Sequence, residues 1–478
     1  MKLSNKIIWG FIFSLALQSC EKKLTDLQPI DQIPAEKAIL TMADLTSAVN
    51  GVYGTWSARR SVYISALISD EVRLGTGTEY RNVGNALFNW QHVSDSQDWR
   101  DGETGGVWTN MYAVIDRANR ALEFGAKVPA ISVADISLKN QFFGEMLALK
   151  AMAHLELLRH FSISNEYTPT ALGVILQTSY VKNVSTYQPT RNTQKQVVDQ
   201  IIADLVSAKS LIPSSFNDIG RVTRNAVIGA QVRVAMHTKD WQAVIDRANE
   251  VIPLQPLTNI AGYSAIWTTR NLIGQGTEVI WKLNVTASNP GAAIGPLFQD
   301  NNNAQQAAPA AKLLNTFNQT TDIRFSTFFK LTPRPLIAKY GFLPQAGETF
   351  IYDIKMMRTS EMVLARAEAQ AELDNTTSAN NDLSLLRSNR ITGYVHVPLT
   401  TKAELISAIL LERYKELCYE GQRYSDLRRR SLPIVRDISD IGGITSSQTL
   451  PTTDFHYILP IPFQEIQANP TIGQNVGY

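Results

Sequence analysis

Cysteine is scarce: two in 478 residues, enough for one disulfide at most, so the fold is not a disulfide scaffold. An excess of one charge sign is also missing. The chain has 45 basic against 43 acidic residues, formal charge +2, which gives no reason to expect a nucleic-acid partner. Histidine is rare, at His92, His154, His160, His237, His396 and His456, and never at ligand spacing. His154 and His160 are turned about 600° apart around a helix, so no metal site is expected. Gly75-Thr76-Gly77 lacks the third glycine of a dinucleotide fingerprint and the lysine of a phosphate loop, and no G-x-S-x-G elbow occurs. No cofactor is expected. No apolar run reaches the roughly 20 residues of a spanning helix. What is present, 44% hydrophobic and 18% charged residues, suffices for a large packed core. Length suggests about three domains, or one continuous helical array.

The N-terminus reads as an export signal. Lys2 and Lys6 precede an apolar run from Ile7 to Leu17, which is the length of a signal h-region. The run ends in Leu17-Gln18-Ser19-Cys20, which resembles a bacterial lipobox. That resemblance implies cleavage after residue 19, lipidation of Cys20 and attachment to a membrane through lipid. Residues 20–34, polar and with two prolines, read as a tether, and 35–478 as a single body. Residues 1–19 carry both signal lysines and no acid, so their removal leaves a neutral chain. Cys20 committed to lipid leaves Cys418 alone, with no intrachain disulfide.

Helical periodicity dominates the first half of the body. Trp108, Met111, Tyr112, Ile115, Ala118 and Leu122 share one helix face, and Phe143, Leu147, Ala151, Leu155 and Leu158 another, on either side of a loop at Pro129. Val197, Ile201, Leu205 and Ala208, ended by Pro213, begin a second hairpin that continues at Ala226 to Val234. The segment from Lys239 to Pro256 resembles the second helix of a tetratricopeptide repeat: a polar turn, an aromatic, an apolar stripe and a closing proline. Between about 261 and 352 the composition turns to Gly, Asn, Gln and Pro, with apolar runs such as Glu278-Val279-Ile280-Trp281 that read as isolated strands. Helical spacing returns at Met356, Met357, Met362, Leu364, Ala365 and Ala369, and from Leu405 through Ile409 to Leu417. The expected class is mainly α: degenerate tetratricopeptide-like hairpins, about 105–260 and 355–430, packed against a loop-rich side with a few short strands.

Two groups of residues invite a chemical reading. Glu412, Glu416 and Glu420 fall on one helix stripe, neighbours about 5 to 6 Å apart at Cβ, near the roughly 5 to 5.5 Å of a retaining glycosidase pair. Interleaved Arg413, Lys415 and Arg423 would keep all three ionised, whereas a general acid needs a raised pKa. A structural charge network is therefore the expectation, with no catalytic residue. Asp95, Asp98, Asp101 and Glu103 could gather calcium but match no calcium loop, and read as a solvated acidic loop. Trp56 and Trp108 read as core. Trp90 and Trp99 sit among polar residues, where they either stack on a sugar or pin a long loop to the scaffold. With Asp70, Arg73 and Arg81 nearby as polar contacts, the five form the candidate ligand site.

The stretch from Leu411 to Arg429, LERYKELCYEGQRYSDLRR, resembles the E-R-x-x-E-L-x-x-E-G-x-R-x-x-D-L-x-R signature of the SusD/RagB family. Glu412, Arg413, Glu416, Glu420, Gly421, Arg423 and Asp426 occupy its fixed positions. The ending, Leu459-Pro460-Ile461-Pro462-Phe463-Gln464-Glu465-Ile466, Asn469-Pro470 and Gln474-Asn475-Val476-Gly477-Tyr478, is similar to that family's C-terminal motif, with Val476 in place of a proline. The resemblance implies an outer-membrane lipoprotein that captures nutrients, usually glycan and in some members peptide, above a SusC-like TonB-dependent transporter, with no chemistry of its own. Glu21-Lys22-Lys23 is not the acidic cluster often linked to surface export, so the expected outward display rests on the resemblance alone.

Overall fold

Helix starts are written locally. Thr41 with Asp44, Ser132 with Asp135, Thr193 with Gln196 and Thr401 with Glu404 each form a capping box, satisfying free amides at four helix N-termini. The computed structural model describes residues 35–74, 84–94, 102–183, 186–269, 277–286, 293–298, 307–332, 334–341, 351–442 and 445–478. Its principal helices are α1 (Met42–Thr55), α2 (Ala58–Ile68), α3 (Gly102–Ala126), α4 (Val133–Phe161), α5 (Gln194–Leu211), α6 (Arg224–Thr238), α7 (Trp241–Val251), α8 (Thr359–Glu372), α9 (Thr376–Ser388), α10 (Lys402–Glu416) and α11 (Arg423–Arg429). The strands are β1 (Val72–Arg73), β2 (Val279–Leu283), β3 (Ala308–Pro309), β4 (Phe329–Lys330), β5 (Leu336–Ile337), β6 (Ile354–Arg358), β7 (Ile434–Val435) and β8 (Thr449–Leu450). They pair only as two-stranded antiparallel ribbons, β1 with β3, β2 with β6, β4 with β5 and β7 with β8. The architecture is mainly α, as the periodicity anticipates.

The helices pack in sequence, α3 on α4, α4 on α5, α5 on α6, α6 on α7, then α7 on α8 and α8 on α9 and α10. Each hairpin has an apolar stripe that only its neighbours cover, which is the logic of a helical array. Trp108, Met111, Ile115 and Ala118 of α3 are buried, as are Leu149, Leu155 and Leu158 of α4. Gly144 lets α4 and α5 approach closely: a Cβ there would lie 2.6 Å from Ile212 and 3.0 Å from the Ala208 carbonyl oxygen. The loop-rich segment leaves the array after α7 and returns at α8, yet α7 and α8 are packing neighbours, so the segment is inserted into the array without breaking it.

Two readings of local pattern are corrected here. Met356 and Met357 belong to strand β6, not to a helix, which begins only at Thr359. The run Glu278 to Trp281 is no isolated strand: β2 is buried along its whole length and pairs with β6, Val279 opposite Arg358 and Leu283 opposite Ile354. That pairing joins segments about seventy residues apart, and local periodicity cannot register it. Trp281 in turn meets Trp56 edge to face at 5.6 Å, so Trp56 is core, like Trp108.

Candidate functional site

The signature begins on α10 and crosses a tight turn into α11. Tyr419 and Gly421 both adopt positive φ in that turn, 61° and 76°, and Gly421 packs against Val62 of α2. Glu416 is fully buried. It accepts from Arg358 at 2.7 Å, Arg390 at 3.1 Å and Arg324 at 3.2 Å, and the Tyr263 hydroxyl donates to it at 3.2 Å. Glu278 bridges the same arginines, accepting from Arg358 and Arg390 at 2.7 Å each. Glu420 accepts from Arg358 at 2.6 Å and Lys339 at 2.7 Å, and Glu412 from Arg324 and Arg387 at 2.9 Å each. Further along, Asp426 takes a two-pronged contact from Arg413, 2.9 Å on both arms, and Arg429 spans Asp426 and Glu368.

The charge network is therefore present, but of the three expected cations only Lys415 acts on the glutamates, through Glu412. Arg413 serves Asp426, Arg423 serves Asp70, and Lys415 lies 2.9 Å from Asp322 but 3.9 Å from Glu412. The cations that meet the three glutamates come from the insertion and its edges: Arg324, Lys339 and Arg358, with Arg387 and Arg390 after α8. The stripe faces the insertion, so most of its partners come from other elements. Burial opposes charge on these acids, but Arg390, Arg358 and Arg324 outweigh it at Glu416, and Arg324, Lys415 and Arg387 hold Glu412 down to about 2. Glu420 is lowered in the same way, by Arg358 and Lys339 against burial. Three ionised, walled-in carboxylates offer neither a general acid nor room for a sugar ring.

Of the five candidate ligand residues, Trp99 and Arg81 lie outside the described residues, as do Asp95, Asp98 and Asp101 of the acidic loop. Cys20 lies outside them too. Asp70 is corrected: it is 1% exposed, immediately after α2, and accepts from Arg423 at 2.7 and 2.8 Å and Lys312 at 2.8 Å. Burial works against its charge, and the two cations more than offset that, holding the carboxyl well below the usual carboxylate range. A carboxylate this deeply buried, its charge met by two cations through three hydrogen bonds, does not face a ligand.

Trp90 is corrected as well. It is 5% exposed at φ 53°, and its indole N–H donates to the Ile68 carbonyl at 3.0 Å. Arg436 lies 4.2 Å over its ring and 3.8 Å over Phe88, while donating to the carbonyls of Leu67, Ser69 and Phe88. The ring pins the chain after α2 onto the scaffold and presents no face for stacking. Sequence reading missed Arg436, which lies outside both motifs and has no acidic partner in reach of an ion pair among the described residues; burial lowers it to about 9. Next to Asp70, Glu71 is another unforeseen group. It is fully buried, one oxygen accepts the Tyr419 amide at 3.0 Å and the other has no partner among the described residues. Burial raises its carboxyl to about 8.

Arg73 alone of the five is described and reaches solvent. It sits half-buried on β1, opposite Ala308 of β3. The β1–β3 ribbon continues directly from the stretch that carries Asp70 and Glu71. Asp70, Arg423, Lys312, Trp90 and Arg436 thus form its rigid base, and Asp440 fixes the chain after β3 by accepting from the amides of Ala311 and Lys312 at 2.7 and 3.1 Å. Loops set on a rigid base are where recognition concentrates.

A stack of helix hairpins with a long insertion locked to it by internal ion pairs is a helical-repeat scaffold for presenting loops. Residues 30–236 match the family model described as starch-binding, associating with the outer membrane, and residues 345–478 match that of the SusD family. The chain belongs to the SusD/RagB family. A SusD-like protein of Formosa agariphila is 22% identical, with 99% of this chain and 98% of that protein aligned. The fold is similar to the crystal structure of a SusD superfamily protein from Bacteroides thetaiotaomicron, with TM-score 0.79 at 23% identity over 91% of this chain and 100% of the other. It is also similar to a SusD-like carbohydrate binding protein from Bacteroides vulgatus, with TM-score 0.74 at 18% identity over 91% and 98%.

Proposed function

We propose that this chain is a cell-surface lipoprotein, anchored through Cys20, that captures glycan and hands it to a SusC-like TonB-dependent transporter in the outer membrane. The observation that carries this reading is the match of both ends of the body to SusD family models, one of them described as starch-binding and associating with the outer membrane. The carbohydrate-binding fold neighbour supports the ligand class. The protein acts by binding and release and not by catalysis, in keeping with the ionised, enclosed state of Glu412, Glu416 and Glu420. Ligand contacts fall to Trp99, Arg81 and Arg73, with Asp70 and Trp90 holding their base. Such a site selects by ring stacking and hydrogen bonds and not by net charge.

A glycan array on the mature chain, followed by calorimetry with the best oligosaccharide, tests this. Trp99→Ala and Arg81→Ala should each weaken binding about tenfold or more at unchanged Tm, the loss of roughly one stacked ring or one charged hydrogen bond. Undiminished affinity in both variants overturns the site, and capture of peptides with no glycan bound would replace the ligand class.

A further inference from the structure

The α3–α4 hairpin does not end where its packing ends. From Ile131 to Leu138 every residue except Asp135 is exposed, although four of them are large aliphatics. Ile131 is 92% exposed and Val133 85%, with Ile136 and Leu138 behind them on the first turns of α4. The turn is held in shape. The Ser132 hydroxyl donates to Asp135 at 2.8 Å within the capping box, and Lys139 donates to the carbonyls of Ala126 and Val128, closing the end of α3. A protruding, pre-formed aliphatic tip is costly in water and calls for an apolar medium.

Its place in the molecule indicates which medium. A Cβ on Gly125, at the end of α3, would meet Leu45 of α1 at 2.7 Å, so the start of the described chain lies at this same end of the hairpin. Leu40, just before α1, is 58% exposed there. Only fourteen residues separate Cys20 from Ala35, a reach of about 50 Å fully extended, so a lipid on Cys20 keeps this end of the body near the bilayer. The charged residues beside the tip, Glu123, Lys127, Asp135 and Lys139, are balanced in sign, so neither attraction nor repulsion by headgroups dominates and insertion rests on the aliphatic side chains.

We propose that the tip formed by Ile131, Val133 and Ile136 inserts into the headgroup and acyl boundary of the membrane beside the lipid anchor. It fixes the tilt of the body on the bilayer where a lipid on a polar tether would leave it free to swing. This inference rests on the anchoring of Cys20 proposed above.

The full lipidated chain, reconstituted in vesicles of phosphatidylethanolamine and phosphatidylglycerol carrying a nitroxide lipid, tests it. A fluorophore is attached at Ile131→Cys or, as a control, at Val395→Cys, an exposed site in the connection between α9 and α10 at the other end of the array. Cys418 is buried and its thiol is pushed up by burial to about 12, so it does not compete for label. Quenching at 131 should exceed that at 395 by about twofold or more, and Val133→Asp with Ile136→Asp should abolish the difference. Equal quenching at the two positions on a chain whose mass shows acylated Cys20 overturns the inference alone. A mass showing unacylated Cys20 overturns the anchoring and the inference with it.

Discussion

Helix α10 has two halves that solve burial in opposite ways. Leu405, Ile406 and Ile409 enter an apolar cluster with Val363, Leu364, Leu383 and Leu386, where no polar atom has to be satisfied. Two turns later, Glu412 and Glu416 are equally buried but meet four basic side chains from other elements, with Lys415 of α10 itself at 3.9 Å from Glu412. The apolar half is non-directional and accepts any residue of similar volume. The ionic half is directional: Arg324, Arg358 and Arg390 each reach two or more acids, so removing one group strands several. The first half supplies stability, and the second fixes how the insertion sits on the array.

The largest contrast comes from breaking each half once. Glu416→Gln leaves Arg324, Arg358 and Arg390 short of a shared counter-charge and should cost about 3 to 5 kcal/mol in urea unfolding. Trp90→Ala should lose a similar amount, about 3 to 5 kcal/mol, because the ring is core; an unchanged Tm would return it to the ligand site. Ile409→Ala, in the apolar half, should cost about 2 to 4 kcal/mol, with no change in how the insertion docks by hydrogen exchange. Glu71 sharpens the comparison through pH. Its folded pKa, about 8, lies above its ordinary 4.5, so the native state holds the proton more tightly. Its contribution is full below about pH 4.5 and is lost as pH rises through 8, at up to roughly 1.4 kcal/mol per pH unit. Glu71→Gln should flatten the fall in Tm between pH 6 and 8, and an unchanged slope would refute the assignment. The smallest effect is Ile409→Val, about 0.5 to 1.5 kcal/mol by the same denaturation measurement.

What could be read from the residues follows from the range of the interactions. The hairpins of α3 with α4 and α5 with α6 announce themselves because apolar spacing and capping boxes are local. Helix α9 was less visible: its polar start hides the buried stripe of Ala379, Leu383 and Leu386, which is nevertheless at helical spacing. The signature glutamates are legible as a structural network, but most of their partners are not, because Arg324 and Lys339 come from a loop-rich segment and Arg358 from a strand whose spacing suggests a helix. Asp70 and Trp90 looked like ligand contacts for the same reason. Their real partners, Arg423 and the Ile68 carbonyl with Arg436, become neighbours only through the fold. Arg436 carried no signal beyond being a cation beside an apolar pair.

The pairing of Asp70 with Arg423 spans 353 residues, and Tyr414 returns over nearly the same interval to donate to the Asp70 carbonyl. During synthesis, the base of the β1–β3 ribbon therefore waits for a partner that leaves the ribosome long after the first hairpins. The order of assembly is set by that delay: α3 and α4 can protect their amides while the chain is still short, but this corner cannot. Pulse-labelled hydrogen exchange on the refolding chain should show the α3–α4 amides protected before those of Val72 and Tyr419.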